Sequence, residues 1–399
     1  MQRSPRLARR LTLLVLTFAL VLSSCNIAGQ GLYVVGPGLR AIPLLSPEGL
    51  AVVANYLWGP ADETAQFGPL EGAIIVAIAT ETGITFVDLL TGEVLYAVGS
   101  TAAAPLFGLV GMRDGSGYGS YAGVVGYGTG GATWLKYDGS GSTFDSPMDF
   151  GSSVTYDMYQ AGGDMLADLV TKVQPSLGVR FLTNQPAPPP VKAPGAASAG
   201  PQSVWTISTE VLPAGNFSGE LVSAFVADDD LVNPAPALVL TRGVSSYLYL
   251  DDRDGDAPVI ALTLGLDARK LRCVDTESSA GWLCAVSLFG DDQLALLNWD
   301  GAGLPVMRGT VDVGDGPVGI DLVLLDDGDV AIVSTGFNDD SVTEVKVSNV
   351  GTLVSTRTRE APAGCVSPGH AVYFEDDGGL ALVGTCWQSG NYFVLRTAL

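Results

Sequence analysis

The sequence predicts an all-β fold in which one small antiparallel sheet is repeated around a ring. Three observations predict it. Apolar strand patterns recur at a nearly constant interval along the chain. The segments between them are rich in Asp, Asn, Ser and Gly, the residues that tight hairpin turns demand. The composition, with 51 Gly and 23 Pro in 399 residues, supplies many such turns.

The repeat is clearest in Pro317–Thr335, an apolar strand, the turn Asp326-Asp-Gly-Asp329 and a second apolar strand. Relatives of that second strand, Val330-Ala-Ile-Val-Ser, occur six more times. With Ile75, Val124, Leu169, Leu238, Leu283, Ile332 and Leu382 as markers, the intervals are 49, 45, 69, 45, 49 and 50 residues. The long interval contains a Pro/Ala/Gly tract, residues 185–201, which cannot pack and reads as a surface loop. Setting it aside makes the period regular.

A period of 45 to 50 residues built of short strands predicts a β-propeller. Seven markers predict seven four-stranded antiparallel blades, at 47–103, 104–150, 151–210, 216–265, 266–311, 312–359 and 360–399. The sixth shows its strands best: Ile320–Leu325, Val330–Thr335, Val342–Val347 and Leu353–Thr358. The last unit runs out after its third strand, Tyr392–Arg396. An N-terminal strand, Leu32–Val35 or Ala41–Leu45, is expected to supply the fourth, closing the ring and removing an open edge. In the first unit, Leu57–Leu70 reads as a long irregular loop. The domain plan is therefore a leader over residues 1–24, an anchored segment and closing strand over 25–46, and the propeller over 47–399.

Two repeat families resemble parts of the chain. Gly314-Asp-Gly-Pro-Val-Gly-Ile-Asp, followed by Val330-Ala-Ile-Val-Ser-Thr and Ser341-Val-Thr-Glu-Val-Lys-Val, resembles the YVTN-type propeller repeat. Gly141–Gly151, Gly163-Asp-Met-Leu-Ala-Asp-Leu-Val170 and Gly178–Asn184 resemble the FG-GAP/VCBS repeat, with a weaker copy from Phe217 to Leu250. Both resemblances imply propeller architecture and say little about function.

The leader carries an address. Arg3, Arg6, Arg9 and Arg10 precede an apolar run, Leu11–Leu22, too short to span a bilayer comfortably. It ends in Leu22-Ser23-Ser24-Cys25, which resembles the bacterial lipoprotein signal. The resemblance implies cleavage before Cys25, diacylation of its thiol and acylation of the new N-terminus. Two or three acyl chains suffice for stable anchoring. Asn26 is not the Asp that retains lipoproteins at an inner membrane, so the expected location is a cell-envelope membrane facing the periplasm or exterior, the outer membrane in a Gram-negative cell.

Without the four leader arginines the chain holds 16 basic against 42 acidic residues, a net charge of −26. Such a surface repels nucleic acid and anionic head groups. Four cysteines remain after Cys25. Cys273 and Cys284 flank a turn, and Cys365 and Cys386 bracket the last hairpin. An even number in an exported chain reads as disulfides, the local pairings each stapling one hairpin. Free thiols are the alternative; a zinc site lacks both Cys-x-x-Cys spacing and histidines.

Candidate chemistry is sparse. Asp252-Arg-Asp254-Gly-Asp256 has the alternating carboxylates of a calcium loop, so Ca²⁺ at Asp252, Asp254 and Asp256 is the candidate cofactor. Asp164, Asp168 and Asp228–Asn233 form looser variants. The competing reading is that these are turn aspartates bonding their own backbone. His370, the single histidine, reads as a strand residue with one local hydrogen bond. Trp299-Asp300 resembles the closing dipeptide of WD repeats, but lies in another unit. No nucleophile motif is present. Asp321, Asp168 and Glu71 would serve a metal-dependent propeller hydrolase or lactonase if they converged in the central tunnel. The aromatics Tyr118, Tyr121, Tyr127, Trp134, Tyr137, Tyr247, Tyr249, Trp387 and Tyr392 read as packing between blades or as a binding face. The expected function is a non-enzymatic binding or scaffolding module, with another envelope protein or a surface polymer as partner.

Overall fold

The computed structural model describes the strands between 52 and 212, with Gly83 and Leu89. From 217 to 397 it describes the chain apart from 228–235, 253–255, 280 and 377–378. Among these residues every regular element is a β-strand. The strands pair in chain order into seven antiparallel sheets, six of four strands and one of three.

The first sheet is β1 (Val52–Gly59), β2 (Ile75–Thr80), β3 (Ile84–Asp88) and β4 (Val94–Val98). The second is β5 (Leu106–Arg113), β6 (Tyr121–Gly128), β7 (Gly131–Lys136) and β8 (Met148–Phe150). The third is β9 (Thr155–Ala161), β10 (Leu166–Thr171), β11 (Val179–Pro186) and β12 (Ser203–Leu212). The fourth is β13 (Glu220–Val226), β14 (Ala237–Arg242), β15 (Tyr247–Asp251) and β16 (Val259–Thr263). The fifth is β17 (Ala268–Asp275), β18 (Trp282–Leu288), β19 (Gln293–Trp299) and β20 (Val306–Asp312). The sixth is β21 (Pro317–Leu324), β22 (Val330–Gly336), β23 (Ser341–Val347) and β24 (Leu353–Glu360). The last is β25 (Pro368–Asp376), β26 (Gly379–Cys386) and β27 (Asn391–Arg396).

All seven sequence markers fall in second strands, and their burial explains why they were visible. Every residue of β22 is buried, and so are six of the seven in β18. A strand covered on both faces needs an uninterrupted apolar run. The fourth strands are the opposite: β24 is exposed along nearly its whole length, and β20 largely so.

First strands touch first strands around the whole ring, from β1 through β5, β9, β13, β17, β21 and β25 and back to β1. They are therefore the inner strands. The apolar core is divided between neighbouring sheets. Phe225, Leu238, Leu271, Val286 and Trp299 join the fourth sheet to the fifth. Leu283, Leu296, Ile320, Ile332 and Val345 join the fifth to the sixth, and Val333, Val342, Leu382 and Phe393 join the sixth to the last. Val76, Ile78 and Val87 meet Ala381, Val383 and Val394, so the ring closes by packing of the first sheet on the last. Each such Val, Leu, Ile or Phe side chain contributes about 1.5–3 kcal/mol on burial.

Three expectations change in detail. Leu57, placed in an irregular loop, lies in β1 opposite Val76, and β1 runs on to Gly59 opposite Ile75; pairing with the buried β2 overrides its loop-like neighbours. The Pro/Ala tract begins inside β11, where Gln185 faces Val204 and Pro186 faces Ser203. Proline is tolerated there because β10 pairs with β11 only as far as Thr183, which leaves Pro186 paired on one side alone. β12 extends two residues past the boundary set at 210. Cys25, the leader, and both expected closing strands lie outside the described residues, so the last sheet is described by its three strands alone.

Both local disulfides are formed. Cys273 and Cys284 face each other across β17 and β18, with Cα atoms 4.0 Å apart. Cys365 joins the loop before β25 to Cys386 at the end of β26, with Cα atoms 5.1 Å apart.

Candidate functional site

Each inner strand carries an irregularity close to its start. Register slips by one residue between Val52 and Ala54, Leu106 and Gly108, Leu221 and Ser223, Ala268 and Lys270, and Pro317 and Gly319. The third sheet has the same slip opposite Val170 and Thr171, and β25 has a wider one between Pro368 and Ala371. A bulge leaves an amide without its ladder partner and turns a side chain out of the sheet.

In the last three sheets the sequence supplies what the bulge requires. A hydroxyl in the second strand accepts the stranded amide: Lys270 N donates to Ser287 Oγ (3.1 Å), Gly319 N to Thr335 Oγ1 (3.0 Å) and His370 N to Thr385 Oγ1 (3.2 Å). Two residues later comes an aromatic, Phe289, Phe337 or Trp387. Its amide donates to the carbonyl of the residue just before the inner strand: Phe289 to Asp267, Phe337 to Gly316 (both 3.1 Å) and Trp387 to Ser367 (2.8 Å). Those three acceptor residues all have positive φ, between 50° and 67°.

This construction assembles a cavity of about 290 Å³ at the end of the ring where the inner strands begin. Its walls are Phe289, Phe337 and Trp387, with the bulge-region residues Arg269, Val318, Gly369 and His370. Phe337 and Trp387 meet edge to face at 6.4 Å. The Arg269 guanidinium lies 4.5 Å above the Phe289 ring and pairs with Asp267 at 2.6 Å. The cavity is thus an aromatic cup with one cation already neutralised and stacked in its wall.

Sequence reading found Trp387 and His370 but not their setting. Phe289 and Phe337 pass unnoticed as single aromatics at turns. The signal that finds them is the recurrence of Ser/Thr-x-aromatic in Ser287-Leu-Phe289, Thr335-Gly-Phe337 and Thr385-Cys-Trp387. Tyr127, Tyr249 and Tyr392 are buried, as packing between sheets requires. The Tyr249 hydroxyl accepts the Ser218 amide (2.9 Å), and its ring meets Phe217 edge to face. Side chains of Tyr118, Tyr121, Trp134 and Tyr137 lie outside the described residues.

Two of the candidate acids fall in different sheets, Asp168 in the third and Asp321 in the sixth. Asp168 is in β10, a second strand, in register with Phe181 and Tyr159, and so is not on an inner strand. Asp321 is on the inner strand β21, where its carboxylate accepts the Tyr373 amide of β25 (2.9 Å). Burial raises its pKa to about 6, opposed by that amide, the Leu322 amide and the charges of Arg272 and Lys270. Glu71, Asp164, Asp228–Asn233 and Asp254 lie outside the described residues. Asp252 and Asp256 are exposed beside it. Among the described residues no three His, Cys, Asp or Glu side chains are grouped to hold a metal ion.

Other acidic turns have structural employment. Asp327 and Asp329 pair with Lys346 at 2.6 and 3.3 Å, and that ammonium holds the Asp327 carboxyl below its ordinary pKa. Asp292 and Asp340, both at positive φ, accept the amides of Gly316 (2.9 Å) and Ser367 (2.6 Å) and so tie each sheet to the next. Trp299 is buried with its indole donating to Gly303 O (2.7 Å), and Asp300 caps the following turn.

A ring of four-stranded antiparallel sheets joined in chain order defines a β-propeller, and solved structures agree. The chain matches the β-propeller domain of Cps50 (Swd1) from Myceliophteria thermophila with a TM-score of 0.54 at 11% identity, over 87% of this chain and 96% of that one. It matches a chain of a mitotic checkpoint complex with a TM-score of 0.55 at 14% identity, over 90% and 93%. No protein-family model matches the sequence, and no curated protein matches it. At these identities the likeness concerns the fold alone.

Proposed function

We propose that this protein is a lipid-anchored β-propeller acting as a non-enzymatic binding or scaffolding module in the cell envelope, with the aromatic cup at the ring mouth as its docking site. The observation that carries the reading is the cup itself. Three successive sheets spend the same hydroxyl, bulge and positive-φ residue to present Phe289, Phe337 and Trp387 to one cavity. Half-buried aromatics around a concavity are the usual anchors of protein recognition.

Further features support the address and the partner class. The lipobox Leu22-Ser-Ser-Cys25 supports acylation, and Asn26 supports an outer face. Two disulfides support an oxidising compartment. The acidic surface argues against nucleic acid and for a protein or surface polymer. The likeness to a chain of a multi-protein complex supports a scaffolding role by analogy of fold. Capture from native envelopes tests the reading: wild-type protein should retain a partner that Phe337→Ala loses. Equal retention by both would remove the cup from the account. Cys25→Ser should move the protein to the soluble fraction, and unchanged fractionation would refute the anchor.

A further inference from the structure

Acidic residues stand next to the residues of the cup, whose wall is aromatic and apolar apart from Arg269 and His370. Asp292 lies three residues after Phe289, Asp339 two after Phe337, and Asp315 three before Val318; all three are exposed. Hydrogen bonds fix two of them in place, since Asp292 accepts the Gly316 amide (2.9 Å) and Asp315 accepts Asn338 Nδ2 (2.8 Å). The loop carrying Asp315 lies directly on the cup: a Cβ at Gly316 would stand 2.9 Å from the Phe289 ring.

The interior and the rim therefore ask for different things. Arg269 already occupies the face of Phe289, so that ring face is closed to an incoming cation. A neutral group entering it meets three aromatic rings. Charges on either side of that group meet carboxylates, within a chain of net charge −22. A cavity of about 290 Å³ takes one large side chain and is at the small end of the range, roughly 300–1,000 Å³, of small-molecule pockets.

We infer that the mouth docks an extended peptide segment of a protein partner, whose neutral aromatic or large apolar residue enters the cup while basic residues flanking it meet Asp292, Asp315 and Asp339. This rests on the binding-module reading above. It narrows the partner to a chain with an exposed basic–aromatic–basic segment.

Calorimetric titration of the full-length protein in detergent tests it, with Ac-Lys-Lys-Phe-Lys-Lys-NH2 as probe and two controls, Ala for Phe and Glu for every Lys. The probe should bind and both controls should not. Affinity should fall at least about tenfold in Phe337→Ala and in the triple variant Asp292→Asn, Asp315→Asn, Asp339→Asn. The triple variant keeps every side-chain acceptor, so it reads charge without disturbing the turns. Binding of the Glu or Ala control as tight as the probe, or full affinity in the triple variant, would overturn the inference. An envelope partner retained equally by the wild type and the triple variant would overturn it too, while leaving the binding-module reading in place.

Discussion

Thr335 and Gly369 are joined by a hydrogen bond that crosses from one sheet to the next. Thr335 Oγ1 donates to Gly369 O and accepts Gly319 N, both at 3.0 Å. One buried hydroxyl thus ties β22 to its own inner strand and to the inner strand of the last sheet. Gly319 makes this approach possible, because a Cβ there would stand 2.4 Å from Gly369 O. Val318 and Gly369, the neighbours of these bonds, line the cup, so its shape depends on this hydroxyl.

Thr335→Val keeps the shape and removes both bonds. It leaves a buried amide and a buried carbonyl without partners, so stability should fall by about 1–3 kcal/mol. Urea unfolding reads the loss. An unchanged midpoint would show that the bridge carries no weight.

Arg359 on β24 and Glu344 on β23 form an ion pair within the sixth sheet. Glu344 is fully buried, Arg359 is 12% exposed, and its guanidinium also donates to Arg396 O (3.3 Å). Arg359→Met should cost about 3–5 kcal/mol by removing the cation opposite the buried Glu344 carboxylate. Adding Glu344→Leu should restore most of it. Thermal unfolding of both variants decides, and equal losses in the single and double variants would mean packing, not charge, is at stake.

Asp321 makes stability depend on pH. Its folded pKa, about 6, lies above the ordinary 3.8, so its contribution is present below 3.8 and lost as pH rises through 6. Asp321→Asn stays neutral and retains an acceptor for the Tyr373 amide. It should therefore stabilise the protein by about 1–2 kcal/mol at pH 7.5 and confer little at pH 4. Melting curves at the two pH values test this, and a gain of equal size at both would contradict the assignment.

The Cys365–Cys386 disulfide closes a loop of sequence separation 21 and ends beside Trp387. Replacing both by Ala should cost about 3 kcal/mol. It should also weaken the probe peptide, because Trp387 is held through the Ser367 carbonyl on the same loop. Stability loss without any change in peptide affinity would separate the staple from the site.

The architecture was legible wherever both faces of a strand are covered. Val330–Gly336 announces itself because all seven residues are buried, and β14 and β18 are each buried at all but one residue. The cysteine pairing was legible because each pair brackets one hairpin. The site was not, for a physical reason. A one-residue bulge at Arg269 or Val318 leaves no mark in composition, and the cup joins residues some fifty positions apart that are neighbours only once the ring has formed. The acidic turn Asp326-Asp-Gly-Asp329 reads as turn chemistry in sequence, and there Asp327 and Asp329 pair with Lys346.

The most direct test of the docking claim is a photo-crosslink in the native envelope, with benzoylphenylalanine placed at Phe337 or, as control, at Val354 on the exposed outer strand β24. A discrete adduct at 337, absent at 354 and suppressed by Ac-Lys-Lys-Phe-Lys-Lys-NH2, is the result expected. Adducts at 354 alone, or at 337 with no competition by the peptide, would contradict the account.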